Sequence, residues 1–325
     1  MRFLITGITG FVGPHLADLL VREGHEVHGL VRSTNGREDD IRDVMPDETF
    51  SELRFVLGDL IDMESCVRAL RTAEFDGVFH LAAQSHPPTS FADPRGTFVT
   101  NAIGTVNLAD AIRTVSPSCR MLFCSTSEVY GAPDPALGLI SEAFPIAPVN
   151  PYGVSKASAD CYVRERAISE GLPFFVTRAF SHTGPRRGRC FSIASDAYQI
   201  VRILKSYQEP VIRVGTLSSA RAVVDVRDIS RAYYLLMQHA VPGAAYNVGG
   251  EEVFTMGELL DRMLDIAGLG DQVEKRVDPA LVRPIDIPVQ TCDSSRCRDL
   301  TGWQPSIKID QTLSDLIEYY GRKIS

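Results

Sequence analysis

Arg2-Phe3-Leu4-Ile5-Thr6-Gly7-Ile8-Thr9-Gly10-Phe11-Val12-Gly13, the stretch following Met1, decides the fold. Arg2 to Thr6 has the make-up of a short strand. From Val12 to Arg22 the apolar Val12, Leu16, Leu19 and Leu20 recur at helical spacing. Between strand and helix stand Gly7, Gly10 and Gly13. Glycines there permit a tight turn, close approach to a pyrophosphate and close packing of helix on strand. The helix N-terminus then points its free N–H groups at the anion. The spacing is GxxGxxG rather than GxGxxG, and a ligand-free βα turn can carry the same glycines. The weight therefore rests on the order strand, glycines, helix. Gly7, Thr9, Gly10, Phe11, Val12 and Gly13 are the first candidate cofactor residues.

Outward from this turn the alternation continues. Strands are predicted at 26–31, 53–57, 77–81, 120–124 and 174–178, with helices over 97–115 and 151–170. Strands separated by helices of this length imply parallel pairing and right-handed crossovers, hence an α/β fold with a doubly wound parallel sheet. Beyond about residue 180 the pattern loosens, with helices predicted at 192–208, 226–240, 255–268 and 310–322 and strands at 211–214 and 245–248. This reads as a dinucleotide-binding domain over 1–180 and a smaller C-terminal α/β domain over 181–325, some of whose segments return to the first sheet.

The second predicted strand ends Leu30-Val31-Arg32-Ser33, and the first acid after it is Glu38. A fold preferring NAD usually sets an acid at this strand end to hold the ribose hydroxyls. Arg32 beside Ser33 suits a 2′-phosphate instead, so NADP is the expected cofactor, with NAD left open. Asp59 and Leu60, after the third strand, are placed to meet the adenine edge.

Composition narrows the class. Of 325 residues, 44% are hydrophobic and 23% charged, which excludes disordered and fibrous classes. The net charge of −8 argues against a general nucleic-acid partner. The apolar runs fall short of the roughly 18 residues a membrane helix needs, and the N-terminus lacks a signal-peptide layout, so a cytoplasmic protein without a membrane partner is expected. Against the acidic balance, Gly171–Ser195 holds no Asp or Glu but contains Arg178, Arg186, Arg187 and Arg189. The seven cysteines form no CxxC, and Cys292 and Cys297 lack matching ligands nearby, so no metal site is expected and the thiols read as packing residues.

The candidate catalytic residues open the 151–170 helix. In Tyr152-Gly153-Val154-Ser155-Lys156 the Tyr and Lys share one helix face. A free phenol near pKa 10 is a poor base at neutrality, but an ammonium and an oxidised nicotinamide beside it would both favour the phenolate. A Tyr and Lys four apart are equally a surface pair when nothing else accompanies them. Here Ser125-Thr126-Ser127-Glu128-Val129-Tyr130-Gly131 follows a predicted strand, so the Thr126 hydroxyl stands where it can meet a substrate's reacting oxygen.

Glycine turn, Thr126 and Tyr152/Lys156 together resemble the extended short-chain dehydrogenase/reductase family, a Rossmann-fold family, in its nucleotide-sugar epimerase/dehydratase branch. His80-Leu81-Ala82-Ala83-Gln84-Ser85 is similar to the segment that runs beside the cofactor in that family, which implies cofactor contacts at Leu81, Ala82, Ala83 and Ser85. Phe180-Ser181-His182-Thr183-Gly184-Pro185-Arg186-Arg187-Gly188 resembles the loop of GDP-mannose 4,6-dehydratases, with Ser181 where Asn is usual. The resemblance implies His182 and Arg187 at the cofactor and a loop reaching across a tetramer interface. Gly215–Asp228, Arg283-Pro284-Ile285-Asp286 and Thr301-Gly302-Trp303-Gln304-Pro305 are similar to the C-terminal signature of the same group. That implies Arg221 as a diphosphate-binding arginine, with Ser85, Ser127, Arg186 and Arg283 also at the substrate. Gly96–Asn101, Gln208–Gly215 and Asp225–Asp228 look more like the GDP-4-keto-6-deoxymannose reductases.

The resemblance implies a nucleotide-sugar enzyme: Tyr152 as base, Lys156 as its pKa modifier and ribose anchor, Thr126 as hydrogen-bonder to the C4 oxygen, and Glu128 as acid–base at C5 and C6. Dehydration of GDP-mannose is the leading expectation, because only that reaction needs the carboxylate. Reduction of the GDP-4-keto-6-deoxy sugar and 4-epimerisation are the alternatives, and a non-enzymatic dinucleotide-sensing scaffold is the remaining one. A homodimer or homotetramer is expected.

Overall fold

A computed structural model describes residues 1–33, 39–282 and 287–324. The expected substrate residue Arg283 lies outside the described residues. The central sheet has seven parallel strands. Six are β1 (Arg2–Thr6), β2 (Glu26–Val31), β3 (Arg54–Leu57), β4 (Gly77–His80), β5 (Arg120–Thr126) and β6 (Phe174–Ala179); the seventh is Ala245–Val248. Their spatial order is Ala245–Val248, β6, β5, β4, β1, β2, β3. The chain therefore winds outward from β1 to β3, returns, and winds the other way from β4.

Strand periodicity explains the two-sided core. Successive side chains point to opposite faces. Phe3, Ile5, Val27, Phe79, Leu122 and Phe175 enter one apolar cluster, with the helices Val12–Arg22 and Val226–His239. Leu4, Leu30, Val78, Met121, Phe123 and Val176 enter the other, with the helices Met63–Leu70, Gly104–Val115 and Pro151–Glu170. Both faces are covered, so these strands read as nearly continuous apolar runs.

A third core joins the helices Ser192–Leu204, Met256–Ile266 and Ile309–Lys323. The C-terminal signature holds this half together. Trp303 is buried and donates its indole N–H to Asp228 O at 2.8 Å, while the Asp228 carboxylate accepts from Ser306 N, Ser306 Oγ and Ile307 N. Those motif residues act here as structural ties.

Two expectations are corrected in detail. The segment 97–115 is not one α-helix: Pro94–Phe98 is helical, Val99–Ile103 winds as a π-helix, and Gly104–Val115 resumes the α-helix. A small sheet of Val253–Thr255, Ala220–Ala222 and Val289–Gln290 also forms, so the helix expected from 255 begins at Met256. Strands of two or three residues are too short for periodicity to reveal.

Candidate functional site

The sheet reverses its winding between β1 and β4, and in open α/β sheets the crevice beyond the carboxyl ends of such strands is where ligands sit. Gly7 sits there with φ +75°, and a Cβ on it would lie 2.7 Å from Ala82 N. Only glycine fits both conditions. A Cβ on Gly13 would lie 2.5 Å from Gly7 O, so the first helix packs directly on the turn. Phe11 precedes this helix and gives no side-chain cap, which leaves the N–H groups of the first turn facing the crevice.

A buried polar chain braces the far side of the crevice. His80, fully buried, bonds Thr6 Oγ1 through Nδ1 at 2.7 Å and Thr105 Oγ1 through Nε2 at 2.9 Å. Burial pushes the imidazole down to about 3, so it is neutral at pH 7. Thr105 Oγ1 donates its only proton to Asn101 O at 2.6 Å. The imidazole must therefore donate from Nε2 and accept at Nδ1 from Thr6, whose oxygen in turn accepts from Ala82 N at 3.2 Å. Asn101 lies in the π-helical turn, where it accepts from Gln84 N, donates to Gln84 O and donates to Ser155 Oγ at 2.9 Å. Thus β1, β4, the π turn and the long helix are tied together around Leu81, Ala82 and Ala83, which are half-buried, while Ser85 is exposed.

Tyr152 and Lys156 sit one turn apart at the start of Pro151–Glu170. Asn150 caps this helix, its Oδ1 accepting from Gly153 N at 2.7 Å, and Pro151 occupies the first helical position. The Asn150 amide also donates to Glu128 Oε2 at 2.7 Å. The cap therefore fixes Glu128, half-buried, beside the start of this helix. The Tyr152 phenol lies near the Thr126 hydroxyl, at the end of β5, which favours its ionised form. Thr126, Glu128, Tyr152 and Lys156, far apart in the chain, thus converge at one strand end. Lys156, 2% exposed, places its ammonium 4.2 Å from the Phe123 ring centroid.

In the protein alone the phenol is not held ionised: burial pushes the Tyr152 pKa above its ordinary value, reinforced by nearby Cys124 and Glu128 and opposed by Thr126 and Arg187. Burial also pulls Lys156 down to about 8, partly offset by Cys124 and Asp160. The Cys124 thiol, 3.0 Å from the Tyr233 hydroxyl, is thus an unanticipated member of this cluster.

The arginine-rich loop divides between roles. Arg187 lies 3.5 Å from the Phe191 ring centroid and 4.7 Å from that of Phe11, and burial lowers its pKa to about 10. His182 stacks on Phe11 at 5.7 Å, and burial and Arg187 hold it down to about 4, so the ring is neutral. Arg186, expected at the substrate, reaches back to the glycine turn. It donates to Gly10 O at 3.0 Å and Thr9 O at 2.9 Å, and meets Asp43 at 3.5 Å. Arg221 stands in the small sheet and donates to Ala220 O at 2.9 Å. Arg32 is exposed at the end of β2; Asp59 is half-buried and Leu60 buried beyond β3. Ser127 is buried and donates to Gln290 Oε1 at 3.3 Å.

Asn101, Cys124 and Gln290 escaped the sequence reading. Asn150 was legible, since Asn before Pro at a helix start signals a cap.

A protein-family model described as GDP-mannose 4,6 dehydratase matches residues 4–316. A GDP-6-deoxy-D-mannose reductase of Pseudomonas aeruginosa is 34% identical, covering 99% of this chain and 98% of its own. GDP-mannose 4,6 dehydratase 1 of Arabidopsis thaliana is 29% identical over 97% of this chain and 88% of its own. Among solved structures, RMD from Pseudomonas aeruginosa complexed with NADPH superposes with a TM-score of 0.85 at 31% identity, covering 99% of each chain. A Thermus thermophilus UDP-glucose 4-epimerase in complex with NAD gives 0.85 at 27% identity, covering 100% of each.

Proposed function

The chain belongs to the GDP-mannose 4,6-dehydratase family, and from that premise we propose that it works with NADP(H), NAD being the alternative, on carbon 4 of a GDP-linked hexose. The crevice suits a dinucleotide. Glycine at position 7 lets the turn lie directly against Ala82, and the uncapped helix start supplies N–H donors for a pyrophosphate. Gly7 to Gly13 would hold the diphosphate, Arg32 the adenosine end, and Phe11, His182 and Arg187 the edge of the crevice. Leu81, Ala82 and Ala83 would line its floor.

When bound, the nicotinamide supplies the hydride acceptor or donor. The chain's own residues handle the protons. Thr126 donates to or accepts from the C4 oxygen, and Tyr152 takes that oxygen's proton. Its ionisation is unfavourable in the buried protein alone, so a positive charge beside it has to stabilise the phenolate. The Lys156 ammonium is one such charge and the oxidised nicotinamide another.

The leading reading is dehydration of GDP-mannose to its 4-keto-6-deoxy product. The observation that carries it is Glu128. Its Oε2 is held by Asn150 at 2.7 Å, close enough to Tyr152 to act on its ionisation. Loss of water requires a proton to leave C5 and another to reach the departing C6 oxygen, and a positioned carboxylate can serve both transfers. The second reading, reduction of the 4-keto sugar, is favoured by the likeness to the Pseudomonas aeruginosa reductase at 34% identity; it needs only Thr126, Tyr152 and Lys156.

Incubation with GDP-mannose and catalytic NADP separates the readings. A product lighter by one water without added reductant supports dehydration. Turnover of the 4-keto sugar only with stoichiometric NADPH supports reduction. Glu128→Gln is expected to lower dehydration at least 100-fold while leaving nucleotide binding intact; normal turnover by this variant would exclude the dehydratase reading.

A further inference from the structure

The amide of Gln290 is oriented and buried with half of its hydrogen bonding unmet. The residue is 3% exposed, and its Nε2 has no hydrogen-bond partner in the structure. Of the five other buried orphans among the described residues, Ser125, Thr177 and Thr183 are hydroxyls, whose protons rotate to suit their surroundings, and Arg2 Nε and His28 Nδ1 belong to side chains bonded to Glu26 at the amino end of the sheet. An amide has no such freedom once its oxygen is engaged. Gln290 Oε1 accepts from Ser127 Oγ at 3.3 Å, so the Nε2 end of the amide is turned away from Ser127. A buried donor without an acceptor is costly, and native proteins rarely keep one without a purpose.

Its surroundings say which acceptor is missing. Ser127 follows Thr126, whose hydroxyl meets the Tyr152 phenol, so the Gln290 amide is one residue removed from the reacting centre. In the small sheet Gln290 pairs in parallel register with Arg221, and residues in register share a face of a pleated sheet. The donor therefore stands between the place where C4 is handled and the arginine expected at the diphosphate.

Resting on the GDP-hexose reading, we propose that Gln290 is a sugar-reading residue, its Nε2 donating to a hydroxyl or ring oxygen of the bound hexose. The donor is neutral and rigid, so it rewards an oxygen at one position on the ring. A sugar lacking that oxygen leaves the amide unpaired, which is how a buried polar group discriminates between otherwise similar substrates.

The test is calorimetric titration of the NADP-loaded enzyme with GDP-mannose and, separately, with GDP. Two variants are compared with the wild type after their cooperative unfolding has been checked. Gln290→Met keeps the length and removes both amide heads. Gln290→Glu keeps an acceptor for Ser127 and replaces the donor. Both are expected to weaken GDP-mannose about five- to tenfold and to leave GDP unchanged. Wild-type affinity for GDP-mannose in either variant would overturn the proposal, as would an equal loss for GDP. Failure of the wild type itself to bind GDP-mannose would overturn the GDP-hexose reading and this inference with it, a result distinguishable because it appears before any substitution.

Discussion

Lys156 is a charge kept where folding alone would discard it. Buried among Phe123 and the strands beneath the long helix, its pKa falls to about 8 from 10.5. Between those values the unfolded chain holds the extra proton. Lys156 thus subtracts stability in full below about pH 8, and the deficit fades as pH rises toward 10.5. Lys156→Met should therefore gain roughly 1–3 kcal/mol in urea unfolding at pH 7, lose most of that gain near pH 10, and lose about 100-fold or more in turnover. A variant less stable at pH 7 would show that the ammonium holds the fold rather than the chemistry. At this scale the sequence was informative where spacing is local: Tyr152 and Lys156 share a helix turn, and Thr126 ends a strand. Asn101 and Gln290 carried no local signal, because their roles arise from partners 54 and 163 positions away in the chain.

Elements are locked by a few buried polar ties. Arg178 on β6 forks onto Asp160 of the long helix at 2.9 and 3.1 Å, with both side chains nearly inaccessible. Its third bond goes to the Tyr130 hydroxyl, which in turn donates to Asn247 Oδ1 at 2.7 Å. One network thus joins the helix Pro151–Glu170, β6, the turn after Glu128 and the strand Ala245–Val248. Arg178→Met would strand a buried carboxylate and should cost roughly 3–5 kcal/mol in denaturant unfolding. A loss below about 1 kcal/mol would mean that the pair is not a structural tie. The sequence marked Arg178 only as part of a basic stretch, since its acid partner lies on the preceding helix. The π turn was hidden for a similar reason: Val99–Ile103 fits helical periodicity, and what distinguishes it is one inserted residue that brings Asn101 under Gln84.

On the scale of the whole molecule the glycine turn, the strand order and the second core act as one device. β1 and β4 are neighbours in space although β2 and β3 intervene in sequence, and the crevice opens where the winding reverses. The first strand–glycine–helix stretch predicted this layout, because alternating strands and helices leave few topologies. The Val253–Thr255/Ala220–Ala222/Val289–Gln290 sheet, which sets Gln290 beside Arg221, was not predictable from strands so short. Gly7→Ala tests the closeness of the switch point. With φ at +75° and Ala82 N only 2.7 Å from the new methyl, NADP affinity should fall at least about tenfold in fluorescence titration. Unaltered affinity would remove the turn from the cofactor site.

The central claim is that Tyr152 moves the proton of the C4 oxygen beside the nicotinamide. Rapid-mixing absorbance at the reduced-nicotinamide band measures it directly, using enzyme loaded with NADP and mixed with GDP-mannose, wild type against Tyr152→Phe. The account predicts a transient rise in the wild type and none in the variant, with NADP still bound to both. A rise of equal rate and amplitude in Tyr152→Phe would contradict it.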